Sequence, residues 1–187
     1  MKKWLILGVV LAAGALTSCG MLDIGFKQYY QVNLTPAMWG FEVTDTGLVV
    51  VGNTAQVIAA PGAPEGVLER IEVHYLDAGG NEVKVGDSSY VANYPVPIPA
   101  GIVCPAADGG TQQCTKSSEG WQYGWASSEP FEFSLDGDIA SRVYEAYLND
   151  ANYLDWHARA IFFARTSNGK SVQWEQDIKI IFPLKAQ

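Results

Sequence analysis

Cysteine, histidine, methionine and basic side chains are scarce in this 187-residue chain: 3 Cys, 2 His, 3 Met, and 12 Lys+Arg against 20 Asp+Glu, for a formal charge of −8. The shortage of cations argues against a nucleic-acid partner, because phosphate binding rests on clustered Lys and Arg that displace counterions. Acidity instead serves solubility and self-repulsion, and it offers no polybasic surface for membrane docking. His74 and His157 lack the local spacing of a metal centre, such as two His on one helix face, and each falls on the polar side of its segment. Copper handling is unsupported too, since Met1 and Met21 are two of the three methionines and both precede the expected fold. The chain has no Gly-x-Ser-x-Gly elbow, no phosphate-binding glycine loop and no His-Glu-x-x-His pair. Paired carboxylates for glycoside hydrolysis come from distant strands and leave no local pattern, so that class has no positive signal. The expectation is a non-enzymatic protein with no cofactor and no metal.

Also lacking is an apolar run long enough to cross a bilayer. Trp4–Ser18 (WLILGVVLAAGALTS) has about 15 residues, where a spanning helix needs roughly 20. The run follows Met1-Lys2-Lys3 and ends in small residues, and a basic start, a short apolar centre and a small-residue end are the parts of a secretory signal. Its ending, Leu16-Thr17-Ser18-Cys19-Gly20, resembles the lipobox of bacterial lipoproteins. An ordinary buried amino-terminal helix would leave the lysines and this ending as coincidences.

The resemblance implies a signal peptide over 1–18, cleavage before Cys19, and acyl chains such as palmitate on that cysteine. It implies a short tether over 19–27 and a single domain over 28–187, a comfortable size for one core. Loss of Lys2 and Lys3 leaves the mature chain two charges more acidic. The lipid on Cys19 would supply the membrane contact, because one acyl chain binds marginally and several hold almost permanently. The protein is then expected to be exported and lipid-anchored in the cell envelope. Gly20 in place of aspartate would, in that family, permit transport to the outer membrane where the cell has two. With Cys19 lipidated, Cys104 and Cys114 remain as an even pair in an exported protein, which favours a disulfide. Gly109-Gly110 can bend the chain between them. Redox motifs favour Cys-x-x-Cys, and a structural zinc site wants four ligands, which are not found nearby.

From Gln28 onward the pattern is of strands separated by turn residues. Ile71, Val73 and Tyr75 alternate with Arg70, Glu72 and His74, a half-buried strand that ends in the turn cluster Asp77-Ala78-Gly79-Gly80-Asn81 before Glu82–Val85. Phe41–Thr44, Leu48–Val51 and Ala55–Ala60 read as further short strands, the last ending at the breaker run Pro61-Gly62-Ala63-Pro64.

Near the carboxy-terminal end, Trp156, Ala158, Ala160, Phe162 and Ala164 share one face. Val172, Trp174, Ile178, Ile180 and Phe182 share another. A two-residue Asn-Gly loop would pair even positions with odd ones and set an apolar face beside a polar one. A three-residue loop, Ser167-Asn168-Gly169 with glycine at positive φ, aligns both apolar faces and is therefore predicted. Upstream, Ile139, Val143 and Tyr147 predict a short connecting helix over 138–148, with Asp138 as its amino-terminal cap. The segment Asp150-Ala151-Asn152-Tyr153 and the hairpin after it resemble the tyrosine corner and last two strands of immunoglobulin-like and fibronectin type III-like domains. The implied fold class is all-β, an antiparallel β-sandwich, and it carries no activity with it.

The stretch 84–130 reads as an irregular, disulfide-closed insertion, either a decorated excursion or strands that the pattern does not reveal. Pro95, Pro97 and Pro99 fit an extended edge. Trp121, Tyr123 and Trp125 are spaced by two, so extended backbone would turn all three rings to one side. They form either a flat platform for sugar rings or a protein partner, or apolar cover over the core or the disulfide loop; the second is the default for sandwich aromatics. Asp136-Gly137-Asp138 lacks the alternating ligands of a calcium loop and is explained by turn formation and capping. Two function classes remain: a lipid-anchored binding or structural module with an envelope-protein partner, and a glycan-binding lipoprotein using Trp121, Tyr123 and Trp125. For the anchor, Cys19→Ser is expected to accumulate unprocessed precursor and abolish metabolic lipid labelling; normal maturation would sink the assignment.

Overall fold

The computed structural model describes residues 29–84, 89–90, 95–149 and 152–183. The expected signal peptide 1–18, the lipidation site Cys19 and the tether 19–27 lie outside the described residues, as does Val85 at the end of one expected strand.

In chain order the elements are β1 (Tyr30–Thr35), β2 (Trp39–Thr44), β3 (Gly47–Val50), β4 (Thr54–Ala59), β5 (Gly66–Leu76), β6 (Glu82–Val83), β7 (Ser89–Tyr90) and β8 (Val96–Ile98). They continue with β9 (Ile102–Pro105), β10 (Thr111–Gln113), β11 (Gln122–Tyr123), β12 (Ala126–Ser127), β13 (Phe131–Glu132), helix α1 (Gly137–Leu148), β14 (His157–Thr166) and β15 (Ser171–Ile181). The larger sheet runs β3-β2-β15-β14-β5, with β6, β7 and β8 along the outer edge of β5. The smaller sheet is β1-β4, with β12 and β13 both pairing β4. The two sheets close on one core as a β-sandwich. A third sheet, β10-β9-β11, stands apart from both.

The β14–β15 pair sets the phase of the larger sheet. Arg165 pairs with Ser171, and the Thr166 amide donates to the Lys170 carbonyl at 2.9 Å. The loop is therefore Ser167-Asn168-Gly169, with Gly169 at φ 81°, as the odd-loop argument requires. Even positions face even positions across this pair. Ala158, Ala160, Phe162, Trp174, Ile178 and Ile180 are all buried, while Gln173, Glu175, Asp177 and Lys179 face outward. In β5, Ile71, Val73 and Tyr75 continue the apolar face.

Phe162 stacks on Trp174, centroids 5.2 Å apart, and meets Phe133 edge-on at 5.8 Å. Phe133 in turn meets Trp39 at 4.9 Å, and the Trp39 indole donates to the Phe133 carbonyl at 2.7 Å. The chain changes sheet between β1 and β2, and there buried Asn53 donates through Nδ2 to the Pro36 and Met38 carbonyls at 2.8 and 3.0 Å. Those bonds satisfy backbone that has left its ladder. After the switch, β2 runs parallel to β15, with Ile180 opposite Trp39.

One local expectation changes. The cap of α1 is Asp136: its carboxylate accepts from the Asp138 amide at 2.8 Å and the Ile139 amide at 3.4 Å. The helix begins one residue earlier than expected, and Asp138 sits in its first turn, where a carboxylate favours the amino-terminal dipole. The Tyr153 ring packs edge-on against Tyr147 and Phe182. Asp150 and Ala151 of the expected corner lie outside the described residues; elsewhere, the Tyr30 hydroxyl donates to the Pro64 carbonyl at 2.7 Å.

Phe162 is fully buried and touches Trp174 in its own sheet and Phe133, just beyond β13, so its truncation leaves a cavity between packed rings. Phe162→Ala is expected to lower unfolding free energy by about 3–5 kcal/mol, read as a reduced urea midpoint with an unchanged m-value.

Candidate functional site

One end of the sandwich carries the loop from β4 to β5, the β14–β15 loop, and the small β10-β9-β11 sheet. The small sheet is fastened to that end through Gly101. Its amide donates to the Ala63 carbonyl at 2.9 Å, and its carbonyl accepts from the Gly62 amide at 2.9 Å and the Gly124 amide at 3.2 Å. A Cβ on residue 101 would fall on the Ala60 carbonyl, so this backbone-to-backbone approach requires glycine. The Pro95-Pro97-Pro99 run leads into it: β8 pairs with the edge of β5, burying Val96 and Ile98 while Pro97 faces outward.

Cys104 of β9 and Cys114, just beyond β10, form a disulfide with Cα atoms 5.9 Å apart. The turn between them uses Gly109 at φ 84°, and Asp108 Oδ1 accepts from the Gly110 amide at 3.0 Å. Ile102, Val103 and Cys104 are buried. Gln113 Nε2 donates to the Ser127 carbonyl, which joins the small sheet to β12. The excursion re-enters the sandwich at Ala126, opposite Ala59 of β4.

Because β9 takes the buried position, the aromatic residues lie outside it. Trp121 is 37 % exposed, and Tyr123 and Trp125 are each 59 % exposed. The expectation of packing over the sandwich core is therefore overturned, for the reason that β11 belongs to the small sheet and pairs with disulfide-bonded β9. The flat platform is not formed either. Trp121 and Tyr123 meet edge-to-face, centroids 5.4 Å apart at 72°, and the chain leaves β11 at Gly124 before Trp125. The Tyr123 ring lies 3.5 Å from where a Cβ of Gly62 would stand, so it roofs the β4–β5 loop. Lys116 Nζ sits 5.9 Å from the Trp121 ring centroid.

Under this ledge runs a groove of about 730 Å³ lined by Tyr29, Gly62, Pro64, Ile102, Lys116 and Tyr123, among others. It adjoins a second hollow of about 590 Å³ beside Glu65, Pro97, Glu129 and Arg165. Glu65, Pro99, Gln113 and Ser167 border both. Below the groove, burial pushes the Tyr30 phenol up to about 12, with the charges of Tyr29 and Glu65 adding to the shift. That phenol stays protonated and serves as a donor. Arg165 is paired with Glu69 at 2.9 Å. The surface therefore suits stacking and apolar contact with polar groups at its margins.

The remaining sequence candidates lie elsewhere. His74 Nδ1 is 2.7 Å from Glu82 Oε1, and that contact holds the Glu82 carboxyl below its usual range. His157 Nδ1 is 3.0 Å from the Asp155 carbonyl. Asp136 is occupied by capping. No group of three or more His, Cys, Asp or Glu side chains is placed to hold a metal among the described residues. Sequence reasoning missed Tyr29, Gly62, Lys116 and Ser167 as neighbours of the ledge. The Pro61-Gly62-Ala63-Pro64 run marked a turn, and no local pattern tells which distant ring will cover it.

The fold and ledge thus define an all-β sandwich with a disulfide-closed aromatic ledge at one end. No family model matches the chain, and no curated protein matches it.

Closing so short a loop contributes about 2–3 kcal/mol on the chain-entropy account. Replacing Cys104 and Cys114 together by serine is expected to cost that much in denaturant unfolding and to raise amide exchange first in β9, β10 and β11. An unchanged exchange pattern would show that the small sheet holds without its staple.

Proposed function

We propose that the protein is a lipid-anchored, non-enzymatic binding module of the cell envelope, exported and held by acyl chains on Cys19, with the aromatic ledge as its binding surface. The observation that carries this reading is the exposure of Trp121, Tyr123 and Trp125 on a small sheet fastened by a disulfide and by Gly101. Large rings held rigidly in solvent give contact area at little ordering cost, which is how binding hot spots are made. The Leu16-Thr17-Ser18-Cys19 ending supports the anchor, and the acidic chain supports a partner other than nucleic acid.

A second reading, glycan binding through the same rings, draws on the openness of Trp125 and Tyr123. The edge-to-face packing of Trp121 on Tyr123 weighs against it, because stacking on sugars uses open ring faces.

A photo-crosslinking residue at position 125 of the native membrane-bound protein is expected to give adducts far above those from the outward position 179. The chemical class of the adduct names the partner. Equal yields at both positions would remove the ledge from the proposal, and polysaccharide pull-down lost in Trp125→Ala would favour the glycan reading.

A further inference from the structure

The chain enters the fold at the ledge. The Tyr29 carbonyl accepts from the Ala60 amide at 2.8 Å, and β1 then runs away from that end, from Tyr30 opposite Ala59 to Thr35 opposite Thr54. Tyr29, 37 % exposed, and Tyr123 border the same groove. From Cys19 to Tyr29 there are about ten residues, at most roughly 36 Å of extended chain. The other exposed apolar residues are Val43 and Val49, on the β2–β3 hairpin, and Tyr147, Leu148 and Leu154, which lie where β14 begins. A strand of that length puts the latter group roughly 33 Å from the β14–β15 loop.

We infer that the ledge docks on the bilayer surface: Trp121, Tyr123 and Trp125 insert at the headgroup level of the membrane that holds the lipid on Cys19, and they set the orientation of the domain. This inference rests on the lipid-anchored reading above. Tryptophan and tyrosine favour that layer because each has an apolar body and a polar edge. The layer is roughly 5–7 Å deep on each side of the hydrocarbon, enough for rings that project from a small sheet. The anchor makes the contact intramolecular, so a weak affinity for the surface is raised by a high effective concentration. The disulfide and the Gly101 bonds order the ledge beforehand, so little freedom is lost on contact.

Charge does not drive the docking. Lys116 lies beside Trp121, but Glu65 and Glu129 border the same end and the chain is acidic overall. The contact is therefore apolar and interfacial, and salt does not weaken it. The free end, with Tyr147 and Leu154, faces away from the membrane.

The test uses the native lipidated protein in vesicles of phosphatidylethanolamine and phosphatidylglycerol, beside the double variant Trp121→Phe/Trp125→Phe. Vesicles brominated in the upper acyl chain are expected to quench part of the wild-type tryptophan emission and to leave the double variant unquenched. High salt should not reduce the difference. Because Trp39, Trp156 and Trp174 are buried, the difference reports the ledge. Circular dichroism checks that the variant is folded, and the wild-type quenching stands without it.

Mass spectrometry of the amino terminus separates the outcomes. Lipid on Cys19 with rings open to aqueous iodide and untouched by brominated lipid overturns the docking and leaves the anchor standing. Protein or glycan adducts from the ledge in native membranes, with no lipid adduct, overturn it in favour of that partner. Absence of lipid on Cys19 overturns both readings.

Discussion

Phe162 stacks on Trp174 across the β14–β15 pair and presses edge-on against Phe133 from the other side of the core. Both stacked residues occupy even positions, and only an odd number of loop residues puts two even positions opposite each other. A slip by one would turn Ala158, Ala160, Phe162 and Ala164 to solvent together. The larger sheet takes its phase from this pair, since β5 lies against one side of it and β2 against the other. Trp39 follows from the same packing: its indole reaches the Phe133 carbonyl, which fixes where β2 meets the end of β15.

The ledge depends on a different kind of constraint. It is held less by side-chain burial than by backbone approaching backbone at Gly101, where three hydrogen bonds converge. The disulfide then closes the small sheet on itself. A unit this small buries too little apolar surface to stand alone, and its order is borrowed from the sandwich and the covalent link. Since β9 uses its apolar residues for burial, the rings of the neighbouring strand are left to the solvent. Their exposure is thus a consequence of strand placement.

Much of the fold is legible in local pattern. The alternation in β5, β14 and β15, the loop at Gly169, the helix to within one residue of its start, and the edge prolines of β8 each follow from residues a few positions apart. The cap shows the limit: Asp136 and Asp138 are both suitable by type, and the bonds to the Asp138 and Ile139 amides decide for Asp136. The parallel β2–β15 pair joins residues at opposite ends of the chain and leaves no periodic trace. The ring trio was legible as a motif but not as a surface, because spacing by two gives a side of a strand without giving what covers that side.

By itself the sequence determined the alternation of faces, the phase of the final hairpin, the position of the connecting helix and the two cysteines available to pair, because each of these is set by steric and solvation preferences within a few residues. Only the tertiary structure decided that Asn53 holds the backbone where the chain changes sheets between β1 and β2, that the insertion folds back onto the β4–β5 loop, and that Tyr29 and Tyr123 border one groove. Those outcomes depend on contacts between segments far apart in sequence, whose free energies come from shared burial and mutual fit. Such energies exist only once both partners are in place.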